Sequence, residues 1–426
     1  KKCRLFTKIA RSIYKNFKMK KFSFPKSKIK VLLLEKLDKA AYDIFSGEGY
    51  DVETYDGSLD ENELIKKIKD ISILGIRSKT NVTKKVIESA NRLLSVGAFC
   101  IGTNQIDLNE CAKNGITVFN APYSNTRSVV EIVLGQMINL MRSIVDKSND
   151  MHRGIWRKDS INSYEIRNKT IGIIGYGNIG SQLSVLCESI GMKVIYYDKV
   201  DKLSIGNASK SSCLNSLLEK SDVISIHIDG RKENTNFFGP KEFSQMKNGS
   251  ILINYSRGNI LDIDSLIENL SNGKLLGAAL DVFPKEPLNN EEEFISKLRG
   301  LKNVILSPHI GGSTKEAQKN IGSFVPDKII DFINTGNTSN CVNFPELSLP
   351  EQKDSHRLIH IHYNEPGVLL SINKIISSYD INIKGQYLKT VENIGYVITD
   401  IDREYDKSVV KELKNIKNTI KLRVLY

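Results

Sequence analysis

The segment Gly175-Tyr176-Gly177-Asn178-Ile179-Gly180 follows an apolar run at 171–174 and opens an amphipathic stretch at 181–190. Three glycines at this spacing demand a particular local fold. The first permits a tight turn out of a strand, the second lets a backbone approach a diphosphate, and the third packs helix against strand. Free N–H groups and the positive end of the helix dipole then favour a bound phosphate. The next apolar run, 193–197, ends at Asp198. A carboxylate there accepts bonds from both adenosine ribose hydroxyls and repels a 2′-phosphate, which selects NAD over NADP. A glycine-rich turn beside a surface acid is the plain alternative. Strand, turn, helix and acid in this order argue against it.

The rest of the chain fits this unit into a larger plan. Its 426 residues exceed a single core. Apolar runs at 29–34, 71–76, 93–96 and 116–119 read as strands. The stretches 59–69 and 83–90 read as helices, and this alternation predicts a parallel sheet covered on both faces. After a turn around Pro122, apolar residues recur at helical spacing from Val130 to Met141. A second alternating unit runs from Thr170 to about Pro308. Its strand-like runs are 171–174, 194–197, 223–226, 251–254, 277–282 and 304–306. A polar linker with Pro345 and Pro350 follows. The final order of 358–363, 367–378, 381–388, 396–400, 407–414 and 420–425 reads βαββαβ, the ferredoxin-like arrangement. A small unit of this kind after a linker suggests regulation or pairing.

The formal charge of +12 suggests nucleic acid, but its location does not. Residues 1–30 carry twelve Lys or Arg and no acid, and the remaining 49 basic residues match 49 acidic ones. The body is neutral, so neither a nucleic-acid nor a membrane partner is expected. Residues 1–23 read as a solvated basic extension, with Met19 as a candidate natural start. No apolar run approaches the roughly 20 residues of a membrane span. Six scattered cysteines without a CxxC read as reduced thiols, consistent with the cytoplasm. His356, His360 and His362 cluster, but no Cys and no HExxH accompanies them, so no metal is expected.

Oxidising a 2-hydroxy acid needs a cation for the carboxylate, a base for the hydroxyl proton and a hydride acceptor. Three strand-end segments supply the protein's part: Asn254-Tyr255-Ser256-Arg257-Gly258, Asp281-Val282-Phe283-Pro284-Lys285-Glu286-Pro287 and Ser307-Pro308-His309-Ile310-Gly311-Gly312. Guanidinium holds a carboxylate through two parallel bonds. Imidazole exchanges a proton near neutrality, and a carboxylate on its far nitrogen fixes the tautomer. Singly these are a surface charge, a structural histidine and a loop acid. Jointly, after a dinucleotide loop, they are an active site, with Arg257, Glu286 and His309 as the catalytic candidates.

GYGNIG, NYSRG, DVFPKEP and SPHIGGST together resemble the D-2-hydroxyacid dehydrogenase family. IRSKTNVT, CIGTNQIDL, FNAPYSNTRSV, HRGIW and HIHYNEPGVL extend the likeness, from about Ile29 to Tyr426, to the branch with one C-terminal ACT domain. The resemblance implies a Rossmann-type NAD domain over 125–311. It also implies a flavodoxin-like split substrate domain over 24–124 and 312–350, and an ACT module over 354–426. It implies NAD contacts at Gly175, Gly177, Asn178, Ile179, Gly180, Asp198, Tyr255, Ser256, Asp281, Gly311 and Gly312. In that branch the substrate is 3-phosphoglycerate, which implies phosphate or substrate contacts at Arg77, Lys79 and Asn125, with Lys158 a further polar candidate. Lys79 departs from the usual Arg and loses its planar fork. L-Serine is the implied effector, at His362, Asn364 and Asn382, and Glu365 stands where a basic residue is common. The implied assembly is a homotetramer, with Trp156 at a subunit contact or in the core. Two other readings stand beside this one: a relative acting on lactate, glyoxylate or 2-oxoglutarate, and a non-catalytic NAD-sensing scaffold on the same fold.

Overall fold

The computed structural model describes residues 25–287, 291–350, 354–402 and 405–425. The basic extension at 1–23 and the candidate start at Met19 lie outside the described residues. The chain forms two compact units. One holds the chain up to Pro122 and from Ile321 on, and the other is Tyr123–Asn320.

The first unit opens with β1 (Lys30–Leu33), β2 (Asp51–Thr54), β3 (Ile73–Ile76), β4 (Ser95–Ala98) and β5 (Thr117–Phe119). They form one parallel sheet in the order β2-β1-β3-β4-β5. β3 and β4 are buried along their whole length, as helix-covered parallel strands are. β2 was invisible as a strand because it is an edge with no buried residue. The helix expected over 59–69 is shorter, Glu61–Lys67, started by an Asp60 capping box and closed by a 3₁₀ turn.

The second unit carries β6 (Thr170–Ile174), β7 (Lys193–Tyr197), β8 (Ser209–Lys210), β9 (Val223–Ile226), β10 (Ser250–Asn254), β11 (Leu275–Leu280) and β12 (Val304–Leu306). Its parallel sheet has the order β12-β11-β10-β9-β6-β7-β8, a doubly wound dinucleotide fold. The order reverses between β6 and β9, and open α/β sheets bind ligands at such a point. β8 escaped notice because it is two exposed residues. Helix Thr126–Met141 directs Val130, Val133, Met137 and Leu140 into this core. Among the described residues no single helix is long and apolar enough to cross a membrane.

The chain returns to the first unit along helix Lys315–Thr335. It then forms β13 (Ser355–Tyr363), β14 (Ile383–Val391), β15 (Ile394–Asp402) and β16 (Thr419–Leu425). All pairs are antiparallel, in the order β14-β15-β13-β16, with two helices between strands. This is the expected ferredoxin-like module. One face packs Leu358, Val397 and Ile401 on its own helices. The other packs Ile359, Ile361 and Tyr396 against Phe332 and Phe344.

Candidate active site

The cofactor cradle is visible in what each glycine would lose by gaining a Cβ. At Gly175, φ is +93° and a Cβ would fall 2.6 Å from the His227 carbonyl oxygen. At Gly180 it would meet the Gly175 oxygen at 2.2 Å, so the helix could not sit down on the turn. At Gly177 nothing lies within 4 Å, and this opening is where a diphosphate can approach. Helix Asn178–Ser189 starts there with Gly177 as its cap and no side-chain bond to its first N–H groups. Asp198 accepts from Tyr176 N at 2.8 Å and Val200 N at 2.9 Å. A carboxylate takes about four bonds, so about two acceptor positions remain for ribose hydroxyls. The chain's own residues therefore fit NAD.

Arg257, Glu286 and His309 lie within this unit at the ends of β10, β11 and β12. Buried Asn254 ties the first turn: its Oδ1 accepts from Ser256 N and Oγ, and its Nδ2 donates to the Arg257 carbonyl at 3.0 Å. Gly258 lets this turn lie on the second segment, since a Cβ there would stand 2.0 Å from the Phe283 carbonyl carbon. Glu286 Oε1 accepts from Phe283 N at 3.0 Å, and Oε2 lies 2.8 Å from His309 Nδ1. That bond leaves His309 Nε2 free for a proton.

The electrostatics follow from these contacts. The Glu286 bond raises the His309 pKa against the burial that would lower it. For Glu286, burial pulls the pKa upward. The His309 bond, the Phe283 N–H and the charges of His309 and Arg257 outweigh it and leave the carboxyl lowered. The pair thus favours carboxylate with imidazolium.

The turn carrying His309 is held from beneath. His309 is left-handed, with φ +53°. Buried Asp281 accepts from Ile310 N at 2.9 Å, Gly311 N at 2.7 Å and Ser307 Oγ at 2.5 Å. A Cβ on Gly311 would press Asp281 and Tyr255 at 3.0 Å, and one on Gly312 would strike Asn125 Nδ2 at 2.2 Å. Asn125 therefore sits beside the histidine turn, and its buried Oδ1 has no partner among the described residues.

Arg77 and Lys79 belong to the other unit, just past β3. Their loop is clamped by a residue that sequence reasoning passed over. Glu35 is 7% exposed and left-handed at φ +64°, and it accepts from Lys79 N and Thr80 N at 3.1 and 2.9 Å. Gln105 Nε2 holds the Arg77 carbonyl at 2.5 Å. An acid ending an apolar strand was the available signal for Glu35.

In the antiparallel module, His362 and Asn364 come together and Asn382 does not join them. His362 lies opposite Gly395, where a Cβ would fall 2.2 Å from its ring, and its buried Nε2 has no partner among the described residues. Asn364 contacts the turn at Glu392 and Asn393. Asn382 meets Asp402 at the far end of β15. Seven residues separate Gly395 from Asp402, or about 23 Å at roughly 3.3 Å each. His360 Nε2 lies 2.9 Å from Thr419 Oγ1. Among the described residues no cluster of His, Cys, Asp or Glu could hold a metal.

Residues 134–311 match the family of D-isomer specific 2-hydroxyacid dehydrogenase NAD binding domains, and 358–421 match the AHAS small subunit-like ACT domain. The chain is 48% identical to a D-3-phosphoglycerate dehydrogenase of Dictyostelium discoideum, over 95% of this chain and 99% of the relative. It is 47% identical to that of Escherichia coli K12, over 96% and 100%. Among solved structures, a D-lactate dehydrogenase from Aquifex aeolicus, complexed with NAD and lactic acid, superposes with a TM-score of 0.65 at 26% identity. It covers 74% of this chain and all of that one. D-2-hydroxyisocaproate dehydrogenase superposes with a TM-score of 0.65 at 27% identity, with the same coverage. The chain belongs to the D-isomer specific 2-hydroxyacid dehydrogenase family, on the branch of the D-3-phosphoglycerate dehydrogenases with an ACT domain, and is an NAD-dependent oxidoreductase.

Proposed function

We propose that this enzyme oxidises 3-phospho-D-glycerate to 3-phosphohydroxypyruvate, the first step of L-serine synthesis. The observation that carries the reading is the bonded pair of Glu286 and His309 beside Arg257, in a chain nearly half identical to enzymes named for this substrate. Arg257 grips the substrate carboxylate through its fork. Neutral His309 takes the C2 hydroxyl proton at Nε2, and Glu286 stabilises the imidazolium that forms. A bound NAD would supply the acceptor for the hydride that leaves C2. Arg77 and Lys79 meet the phosphate, while Asn125 and Lys158 orient the substrate's polar groups. Cofactor contacts fall to Gly175, Gly177, Asn178, Ile179, Gly180, Asp198, Tyr255, Ser256, Asp281, Gly311 and Gly312.

The domain limits that go with this reading are 24–124 with 312–350 for substrate, 125–311 for NAD and 354–426 for the effector. L-Serine binds the last module, with Asn382 supplied by a second copy to His362 and Asn364, which implies a homo-oligomer. A tetramer in the cytoplasm completes the proposal.

NAD reduction with 3-phosphoglycerate, beside reduction of 3-phosphohydroxypyruvate and 2-oxoglutarate, tests the substrate. His309→Ala should lower turnover by about a hundredfold to ten-thousandfold while NAD still binds. Turnover of unphosphorylated acids alone would move the enzyme to another branch, a reading that the cations Arg77 and Lys79 and the C-terminal module argue against. Lack of turnover with any acid would make it an NAD-sensing scaffold.

A further inference from the structure

Ser307 stands in the histidine segment, its carbonyl accepts from His309 N at 3.0 Å, and its side chain bonds none of Arg257, Glu286 and His309. Its hydroxyl donates to Asp281 Oδ1 at 2.5 Å and lies 3.0 Å from the Tyr255 hydroxyl. A serine has one hydrogen to give, so Tyr255 must donate to Ser307. The donors therefore run one way, Tyr255 to Ser307 to Asp281. Bonds aligned like this polarise and strengthen one another.

The carboxylate at the end of this chain secures the strained turn. A left-handed histidine persists only where its surroundings hold it. Here the Asp281 carboxylate takes the N–H groups of Ile310 and Gly311, and the Asp281 carbonyl takes that of His309 at 2.9 Å. We propose that Ser307 is a positioning residue for the dehydrogenase reaction: it aligns Asp281, which holds the left-handed turn that presents His309 to Glu286 and to substrate. The proposal rests on His309 being the acid/base.

The chemistry gives it a pH signature. Burial raises the Asp281 pKa, and the Ser307 bond and the two backbone donors work against that rise. Tyr255 after β10 and His309 after β12 are the titratable groups that face it, with Glu286 and Arg257 beyond His309. Without the serine donor, Asp281 protonates at higher pH and releases the turn.

The test is steady-state NAD-linked oxidation by full-length Ser307→Ala, Ser307→Thr and His309→Ala across about pH 6 to 10. Ser307→Ala should lower kcat about tenfold, keep the KM for NAD within about twofold and move the acid limb to higher pH. Ser307→Thr should restore both kcat and the limb. An alanine variant with wild-type kcat and limb would overturn the proposal. So would a pH-independent loss with a raised KM for NAD or a matching fall in Tm, and so would failure of threonine to rescue. If His309→Ala retains turnover, the acid/base reading falls instead.

Discussion

Glu286 and His309 stand 23 positions apart in sequence and 2.8 Å apart in space. Their coupling sets an expected pH response. His309 is raised by Glu286, so on the proposed mechanism, in which neutral imidazole takes the hydroxyl proton, oxidation should begin at higher pH than a free histidine would allow. Glu286→Gln should move the acid limb of kcat/KM for oxidation to lower pH and reduce turnover. A limb that stays in place would separate the carboxylate from the histidine's titration. The pair's contribution to stability is bounded on both sides. The raised His309 share is fully present below about pH 6.5 and lost as pH rises through its folded pKa. The lowered Glu286 share is present above about pH 4.5 and lost as pH falls through its own. Residue identities at the three strand ends were legible in the sequence. Glu35, Asn254 and Ser307 were not assigned, because their work is done through bonds to groups elsewhere in the chain.

At the scale of the element, β13 carries the clearest prediction. It is buried on both faces from Arg357 to His362, so His360 and His362 are enclosed with little water. Burial, helped by nearby His362, pushes the His360 pKa down to about 4. An unfolded histidine near 6.5 binds its proton first, so this residue makes stability fall as pH drops from about 6.5 to about 4. His360→Asn should flatten that slope of Tm against pH. An unchanged slope would assign acid sensitivity elsewhere. In the adjoining β15, Gly395→Ala would drive a methyl into the His362 ring. It should weaken inhibition by L-serine at least about tenfold in a titration of the full-length enzyme. Periodicity revealed strands with a buried face, and missed β2 and β8 because neither buries a residue.

At the scale of the whole molecule, one buried guanidinium organises the passage into the C-terminal module. Arg357 is paired with Asp400 at 2.7 and 2.8 Å, and its remaining donors reach the carbonyls of Thr335, Leu349 and Pro350. Both side chains are nearly closed to water, so removing one partner strands the other's charge. Asp400→Ala should cost about 3–5 kcal/mol of unfolding free energy. A loss under about 1 kcal/mol, as for a surface pair, would refute this. Trp156 is 73% exposed, as is Ile161, with Met151 also open. A core position for the only tryptophan is therefore ruled out, and in the homo-oligomer proposed above a second copy would cover it. Trp156→Glu should shift the sedimentation coefficient toward smaller species, and an unaltered assembly would remove the residue from the contact.

By itself the sequence determined what depends on a few adjacent residues. These are the glycine turn, the acid after β7, the burial pattern of the central strands and the βαββαβ order of the last module. Steric limits and side-chain periodicity act over one turn or one strand, so they can be read locally. Tertiary structure alone decided which side chains meet: Glu286 with His309, Ser307 with Asp281, Glu35 with the Arg77 loop, and Asn382 apart from His362. Those pairings depend on strand order and register, which bring loop ends together across dozens of residues. No local pattern encodes that distance.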